Sequence, residues 1–139
     1  MISVLLVDDH ELLRAGLRSR LETEKSITIV GEADSAERAV LMARSLQPDV
    51  ILLDLAMPRR TGLEVLPELR VKAPDAKIIV FSGFSTASVS EGAIDLGAIR
   101  YLTKGADPEV INDAIEEVVA EAKQGAAGSV PSAVRRPTF

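Results

Sequence analysis

At 139 residues the chain is one domain of common size, long enough to bury a core without covalent staples. It has no cysteine, which excludes a disulfide framework, a thiolate metal site and a cysteine nucleophile. A net charge of −5 repels phosphate backbones, and 3% aromatic residues leave few stacking platforms, so direct nucleic-acid binding is excluded as the chain's own task.

The N-terminal run Val4-Leu5-Leu6-Val7 ends in Asp8-Asp9 and has no basic residue before it. That pattern fits neither a signal peptide nor a membrane span, and with the lack of cysteine it predicts a cytoplasmic protein. An unbroken apolar run of this length suits a parallel strand covered on both faces. Leu13, Leu17 and Leu21 then repeat every four residues and predict a helix over about 10–24. A weaker strand follows at Ile27–Gly31, and Ala36, Val40 and Ala43 mark a second helix over about 35–46. Val50-Ile51-Leu52-Leu53 is a second strong strand, and Leu63, Leu66 and Leu69 mark a third helix. Ile78-Ile79-Val80-Phe81 is the next strand. The helix predicted over about 85–96 carries Ser85, Thr86, Ser88, Ser90 and Gly92, poor helix formers that suggest a marginal, movable element. A weak strand at Ile99–Thr103 precedes a long last helix marked by Val110, Ala114, Ile115, Val118, Val119 and Ala122, with Asp107 as N-cap and Pro108 in the first helical position. From Gly125 the pattern dissolves, which predicts a domain over 1–124 and a flexible tail or interdomain linker over 125–139.

Strand and helix alternating five times predict an α/β fold, a doubly wound sandwich with a five-stranded parallel sheet. The flavodoxin-like order 2-1-3-4-5 is expected, with its switch point between the first and third strands.

Three carboxylates end the two strands that meet at that switch point: Asp8 and Asp9 after the first, Asp54 after the third. Singly, each has an ordinary alternative as a helix cap or turn residue. Together they repel, and one is pushed to protonate unless a cation sits among them. Oxygen ligands that fill only part of a coordination sphere suit magnesium, and the Ala56 carbonyl just past the strand end offers another oxygen. Ser82 and Lys104 follow the fourth and fifth strands and supply a hydroxyl and an ammonium, the donors that a phosphoryl group needs. Taken alone, Ser82 reads as a helix cap and Lys104 as a solvated loop residue.

With these residues in view, the chain from Met1 to about residue 123 resembles the receiver domains of bacterial two-component response regulators. Val7-Asp8-Asp9-His10 with Arg14 and Gly16-Leu17 is similar to the NarL/FixJ (LuxR-type) subfamily. So is Leu53-Asp54-Leu55-Ala56-Met57-Pro58 with Gly62-Leu63-Glu64, and Tyr101-Leu102-Thr103-Lys104 matches the family's aromatic-x-x-lysine ending. The resemblance implies that Asp54 accepts the phosphoryl group and that Asp8, Asp9, Asp54 and the Ala56 carbonyl arrange magnesium. It implies too that Ser82 and Lys104 contact the phosphoryl oxygens, and that Ser82 and Tyr101 carry the switch, Tyr101 rotating inward on phosphorylation. A sensor histidine kinase is the implied donor, and a homodimer is open to the domain.

Two positions depart from the pattern. Arg100 stands where the subfamily often has glycine, and Gly105 where many receivers have proline, so a cis Lys104–Gly105 peptide is not assumed. His10 reads as an ordinary residue at the start of the first helix, Arg59-Arg60 as a solvated turn, and Arg135-Arg136 as too small a basic cluster for DNA. The tail predicts a piece of a longer regulator whose continuation is a helix-turn-helix DNA-binding domain; a complete single-domain receiver is the alternative. The product of phosphorylation is a signal, so the chain is read as a switch and not as an enzyme with a metabolic substrate. Three rivals remain at this stage. They are a magnesium-dependent phosphohydrolase, a flavin module of the same fold, and a pseudo-receiver acting through protein contacts.

Overall fold

Apolar residues in alternation along each central strand are sorted to opposite faces of one sheet, and the helices follow from that sorting. The computed structural model describes residues 1–128 other than 58, 84–86 and 105–106. In chain order the elements are β1 (Ile2–Val7), α1 (Glu11–Leu21), β2 (Ile27–Ala33), α2 (Ala36–Leu46), β3 (Val50–Leu53), α3 (Gly62–Lys72), β4 (Lys77–Ser82), α4 (Ala87–Asp95), β5 (Arg100–Thr103) and α5 (Pro108–Gly128). The five strands are parallel in the order β2-β1-β3-β4-β5, the flavodoxin-like order expected from the sequence.

Leu5 and Val7 of β1, Ile51 and Leu53 of β3, and Ile78 and Val80 of β4 pack on one face with residues of α2, α3 and α4. Their neighbours Val4, Leu6, Val50, Leu52, Ile79 and Phe81 pack on the other face with Leu21 of α1 and with Ile111, Ile115 and Val118 of α5. Both faces are covered, which is why these strands read as unbroken apolar runs.

Local signals fix several helix starts. The Ser35 side chain accepts the Arg38 N–H at the head of α2. Thr61 and Glu64 form a reciprocal capping box at the head of α3, with Thr61 N donating to Glu64 Oε1 at 3.0 Å and Glu64 N to Thr61 Oγ1 at 3.3 Å. Asp107 caps α5, its Oδ1 accepting the Glu109 N–H at 3.2 Å.

The differences from the sequence reading have local causes. β2 runs on to Ala33, because a bulge in its pairing with β1 skips Val30 and lets Leu6 and Val7 pair with Glu32 and Ala33. α1 buries only Leu21, and Leu13 is 46% exposed. The first turns of α1 lie beside acidic strand ends and not against an apolar surface, so its leucine stripe is covered only toward the C-terminal end. α4 covers Ala87–Asp95 and stops one residue short of the expected end at 96, while positions 85 and 86 of the expected helix lie outside the described residues. α5 continues to Gly128, four residues past the point where the apolar pattern fails, over a stretch with alanine at 126 and 127. The rest of the expected tail, 129–139, lies outside the described residues, as do Pro58 and the Gly105 side of the Lys104–Gly105 peptide.

One glycine is demanded by proximity. A Cβ on Gly62 would sit 2.5 Å from the Asp54 carbonyl oxygen and 2.8 Å from Leu55 Cα, and Gly62 N donates to Leu55 O at 3.0 Å. The head of α3 is thereby pressed against the backbone that carries Asp54. Gly62→Ala is expected to lower stability by about 1–3 kcal/mol, the usual range for overpacking, and to shift the Asp54 and Leu55 amide resonances. A variant that melts as the parent does, with those resonances unmoved, would show that the contact relaxes freely.

Candidate functional site

Backbone hydrogen bonds join the C-terminal ends of β1 to β2, β3 to β1 and β5 to β4 just where the polar residues begin. Asp8 N donates to Ala33 O at 3.0 Å, Asp54 N to Val7 O at 2.9 Å, and Lys104 N to Ser82 O at 2.8 Å. The parallel register, Val7 with Leu53, Leu53 with Val80 and Ser82 with Thr103, carries the side chains that follow to one rim of the sheet. Asp8, Asp54 and Ser82 are the buried polar residues among those described, at 4%, 2% and 0% exposure. Buried carboxylates are costly unless they are paired, and here they share one cation. Lys104 Nζ lies 3.2 Å from Asp8 Oδ2 and 3.3 Å from Asp54 Oδ2.

Each acid is also held by its own loop. Asp8 Oδ1 accepts the His10 N–H at 2.8 Å, and Asp54 Oδ1 accepts the Ala56 N–H at 3.1 Å. These contacts leave one oxygen of each carboxylate directed toward Lys104. Burial raises the Asp54 carboxyl above the usual carboxylate range. The Ala56 N–H works against that shift, the Asp8 charge adds to it, and Lys104 offsets it in part. Asp54 Oδ2, though beside the ammonium, accepts no hydrogen bond, and neither does the buried Asp9 Oδ1. Asp54 Oδ2, met by the Lys104 ammonium alone, and Asp9 Oδ1, buried without a hydrogen-bond partner, are oxygens that a hard cation with oxygen ligands would satisfy.

The structure brings Asp8, Asp54 and Lys104 into direct contact and sets Ser82 beside Lys104 through the backbone. Ala56 meets Asp54 through its N–H, and the residue itself is exposed. His10, read as an ordinary helix-start residue, stands at the N-cap position of α1 and makes no side-chain cap. A ligand atom from each of Asp8, Asp9 and His10 lies within 4.8 Å of the others, an acidic cluster that His10 borders from the exposed side. Tyr101 is 8% exposed and belongs to the cluster that includes Ala93 and Ala98. The inward rotation expected of it begins from an outward ring, whereas here the ring is already covered, its apolar body packed beside α4.

Two residues with roles here carried no signal of their own in the sequence. Arg14 of α1 donates from Nη1 to the Asp8 carbonyl at 2.6 Å and from Nε to Glu32 Oε1 at 2.9 Å. Glu32 also pairs with Arg18. Arg14 was visible only as part of a motif, and Glu32 only as an acid in a weak strand. The pairing of β1 with β2 is what joins them.

Among the described residues, no helix is long and apolar enough to cross a membrane. The family described as "Response regulator receiver domain" matches residues 4–116. The chain is 41% identical over 118 residues to the nitrate/nitrite response regulator protein NarL of Escherichia coli (strain K12), covering 85% of this chain and 55% of that protein. It thus spans about half the length of the curated relatives it matches. Among solved structures, a LuxR-family two-component response regulator from Aurantimonas sp. SI85-9A1 superposes with a TM-score of 0.83 at 31% identity, covering 87% of this chain and 86% of that one. A response regulator protein from Burkholderia pseudomallei, solved with a phosphorylated aspartic acid, a calcium ion and citrate, has a TM-score of 0.76 at 26% identity and covers 94% of this chain and 76% of its own. Parallel strands in the order 2-1-3-4-5, a rim of buried acids beside a lysine and these similarities have one reading: the chain belongs to the response regulator receiver domain family and is a receiver domain of the NarL/LuxR type.

Proposed function

We propose that Asp54 is the phosphoacceptor of a switch charged by a sensor histidine kinase. The observation that carries this reading is the Asp54 carboxylate, buried yet not hydrogen-bonded at Oδ2, between Lys104 and the Asp8 charge. The Burkholderia relative, with its phosphorylated aspartic acid and bound divalent ion, supports the same chemistry.

Asp54 attacks phosphorus as a carboxylate; the new O–P bond forms as the P–N bond of the donor phosphohistidine breaks, and the departing imidazole takes a proton from solvent. Lys104 offsets charge on the transferred oxygens and keeps Asp54 ionised against the neighbouring Asp8. Magnesium, held by Asp8, Asp9, Asp54 and the Ala56 carbonyl, would supply charge neutralisation for the phosphoryl oxygens. The buried oxygens Asp9 Oδ1 and Asp54 Oδ2, neither of which accepts a hydrogen bond, fit that ion. Hydrolysis of the acyl phosphate resets the switch, so the chain signals and has no metabolic substrate. We place it in the cytoplasm, as the receiver domain of a longer regulator, with the residues after α5 leading toward a helix-turn-helix output domain that binds DNA. Incubation with acetyl phosphate and magnesium should give a phosphoprotein that hydroxylamine strips. A hydroxylamine-resistant phosphoryl group would point to a hydroxyl such as that of Ser82 instead of a carboxylate.

The response is carried by Ser82 and by Tyr101, which is covered from the outset and so reports by a change of packing and not by an inward rotation. A phosphoryl group on Asp54 adds acceptor oxygens, and Ser82, at the end of the adjoining strand, is the hydroxyl that moves to them. Driving a two-state element from 1:99 to 99:1 takes about 5.5 kcal/mol, and one charge-assisted hydrogen bond supplies about 1.5–3 kcal/mol of it. Ser82→Ala should therefore keep phosphorylation on Asp54 while blunting the accompanying amide shift changes between residues 87 and 104. Shift changes of wild-type size in that variant would remove Ser82 from the coupling route.

A further inference from the structure

Resting on that reading of the site, we infer that Arg14, clamped by Glu32, is a positioning residue that sets the Asp8–Asp9 peptide for the divalent cation. The Asp8 main chain is held at both of its polar groups: its N–H donates to Ala33 O at 3.0 Å, and its carbonyl accepts from Arg14 Nη1 at 2.6 Å. That carbonyl belongs to the peptide plane that joins Asp8 to Asp9, so fixing it fixes the direction in which the chain leaves β1. The direction matters because Asp9 Oδ1 is buried with no hydrogen-bond partner, and its placement depends on that plane.

Arg14 does not find this position alone. Its Nε donates to Glu32 Oε1 at 2.9 Å, and the two side chains are 16% and 22% exposed, shielded enough for the pair to hold a fixed geometry. Glu32 is in turn placed by the bulge that skips Val30 and sets it opposite Leu6, two residues before Asp8. A planar guanidinium spans both acceptors at once, Glu32 with one N–H and the Asp8 carbonyl with another. A lysine ammonium on a flexible stem lacks that fork. Arg18, the other partner of Glu32, is 46% exposed and pairs with Glu22 as well, and no hydrogen bond joins it to Asp8. It serves as the control.

The arrangement has the form of an outer-shell support, a group that touches no ion yet orients a ligand that does. Loss of such a support weakens metal affinity by roughly 10–100-fold. Magnesium alone is the probe, titrated into the full chain and followed by amide NMR shifts of Asp9 and of the residues after Asp54. The wild type should saturate. Arg14→Ala should bind on the order of tenfold more weakly or worse, Arg14→Lys should recover only part of that loss, Glu32→Gln should fall between Arg14→Ala and wild type, and Arg18→Ala should match wild type. Melting curves without metal separate this from a general loss of structure, since Glu32→Gln keeps the shape of the clamp. A wild type that shows no saturable magnesium binding would sink the reading of the site itself. A wild type that binds normally, with Arg14→Ala and Glu32→Gln binding equally well, would overturn the positioning role alone, and so would an Arg18→Ala loss as large as that of Arg14→Ala.

Discussion

Asp54→Asn is expected to abolish phosphorylation and, in metal-free buffer at neutral pH, to melt at a higher temperature than the parent chain. The carboxyl is raised above its ordinary range chiefly by burial and further by Asp8, with the Ala56 N–H and Lys104 only partly opposing the shift. An acid whose folded value lies above its unfolded one binds more protons in the folded state through the interval between the two. Stability of the parent therefore falls as pH rises through that interval and stays lowered above it. The neutral amide of the variant carries no such cost, so the two melting curves should converge toward acid and separate toward neutrality. Magnesium should raise the parent's melting temperature by mass action on the folded state and raise the variant's less. Melting temperatures for both proteins across pH, with chelator and then with magnesium, check all of this. A variant less stable than the parent at neutral pH without metal would show that the Lys104 pairing outweighs burial.

Lys104→Ala is expected to slow phosphorylation by acetyl phosphate by on the order of a hundredfold or more, the usual consequence of removing one preorganised donor from developing charge. The ammonium stands 3.2 Å from Asp8 Oδ2 and 3.3 Å from Asp54 Oδ2, so its removal also leaves two buried carboxylates facing each other with no cation between them. Both effects act in the same direction, one on the transferred group and one on the ionisation of the nucleophile. The fold should survive, because the Lys104 main chain keeps its bond to Ser82 O. Single-turnover rates under saturating magnesium measure the loss. A rate within a few-fold of the parent's would assign Lys104 to structure and not to the reaction.

How much of this was legible in the sequence follows from which forces act locally. The strands that bury both faces announced themselves as unbroken apolar runs, and the acids at their ends were conspicuous because each run stops at a charge. Their convergence followed from topology, since the order β2-β1-β3-β4-β5 sets β1 beside β3 and the register places Val7 opposite Leu53, one residue before each aspartate. The pairing of Arg14 with Glu32 was not legible, because it depends on a bulge that moves the β2 register by one residue, and no side-chain pattern signals that shift. The exposure of Leu13 was hidden for a related reason: a leucine every four residues marks a helix but not how much of it the sheet can cover. Tyr101 presents as a lone aromatic in a weak strand, and its burial beside α4 is a tertiary fact. The continuation of α5 to Gly128 rests on backbone propensity after the apolar stripe has ended, so periodicity alone stops short of it.

Whether this receiver domain takes a phosphoryl group onto Asp54 with the help of a divalent cation is decided by intact mass. The parent chain and Asp54→Asn are each incubated with acetyl phosphate, once with magnesium and once with chelator. The parent should gain the mass of one phosphoryl group with magnesium and remain unchanged with chelator, and Asp54→Asn should remain unchanged in both. A full mass shift in Asp54→Asn would show that Asp54 is not the acceptor, and a shift in the parent that ignores the chelator would show that the transfer needs no divalent cation.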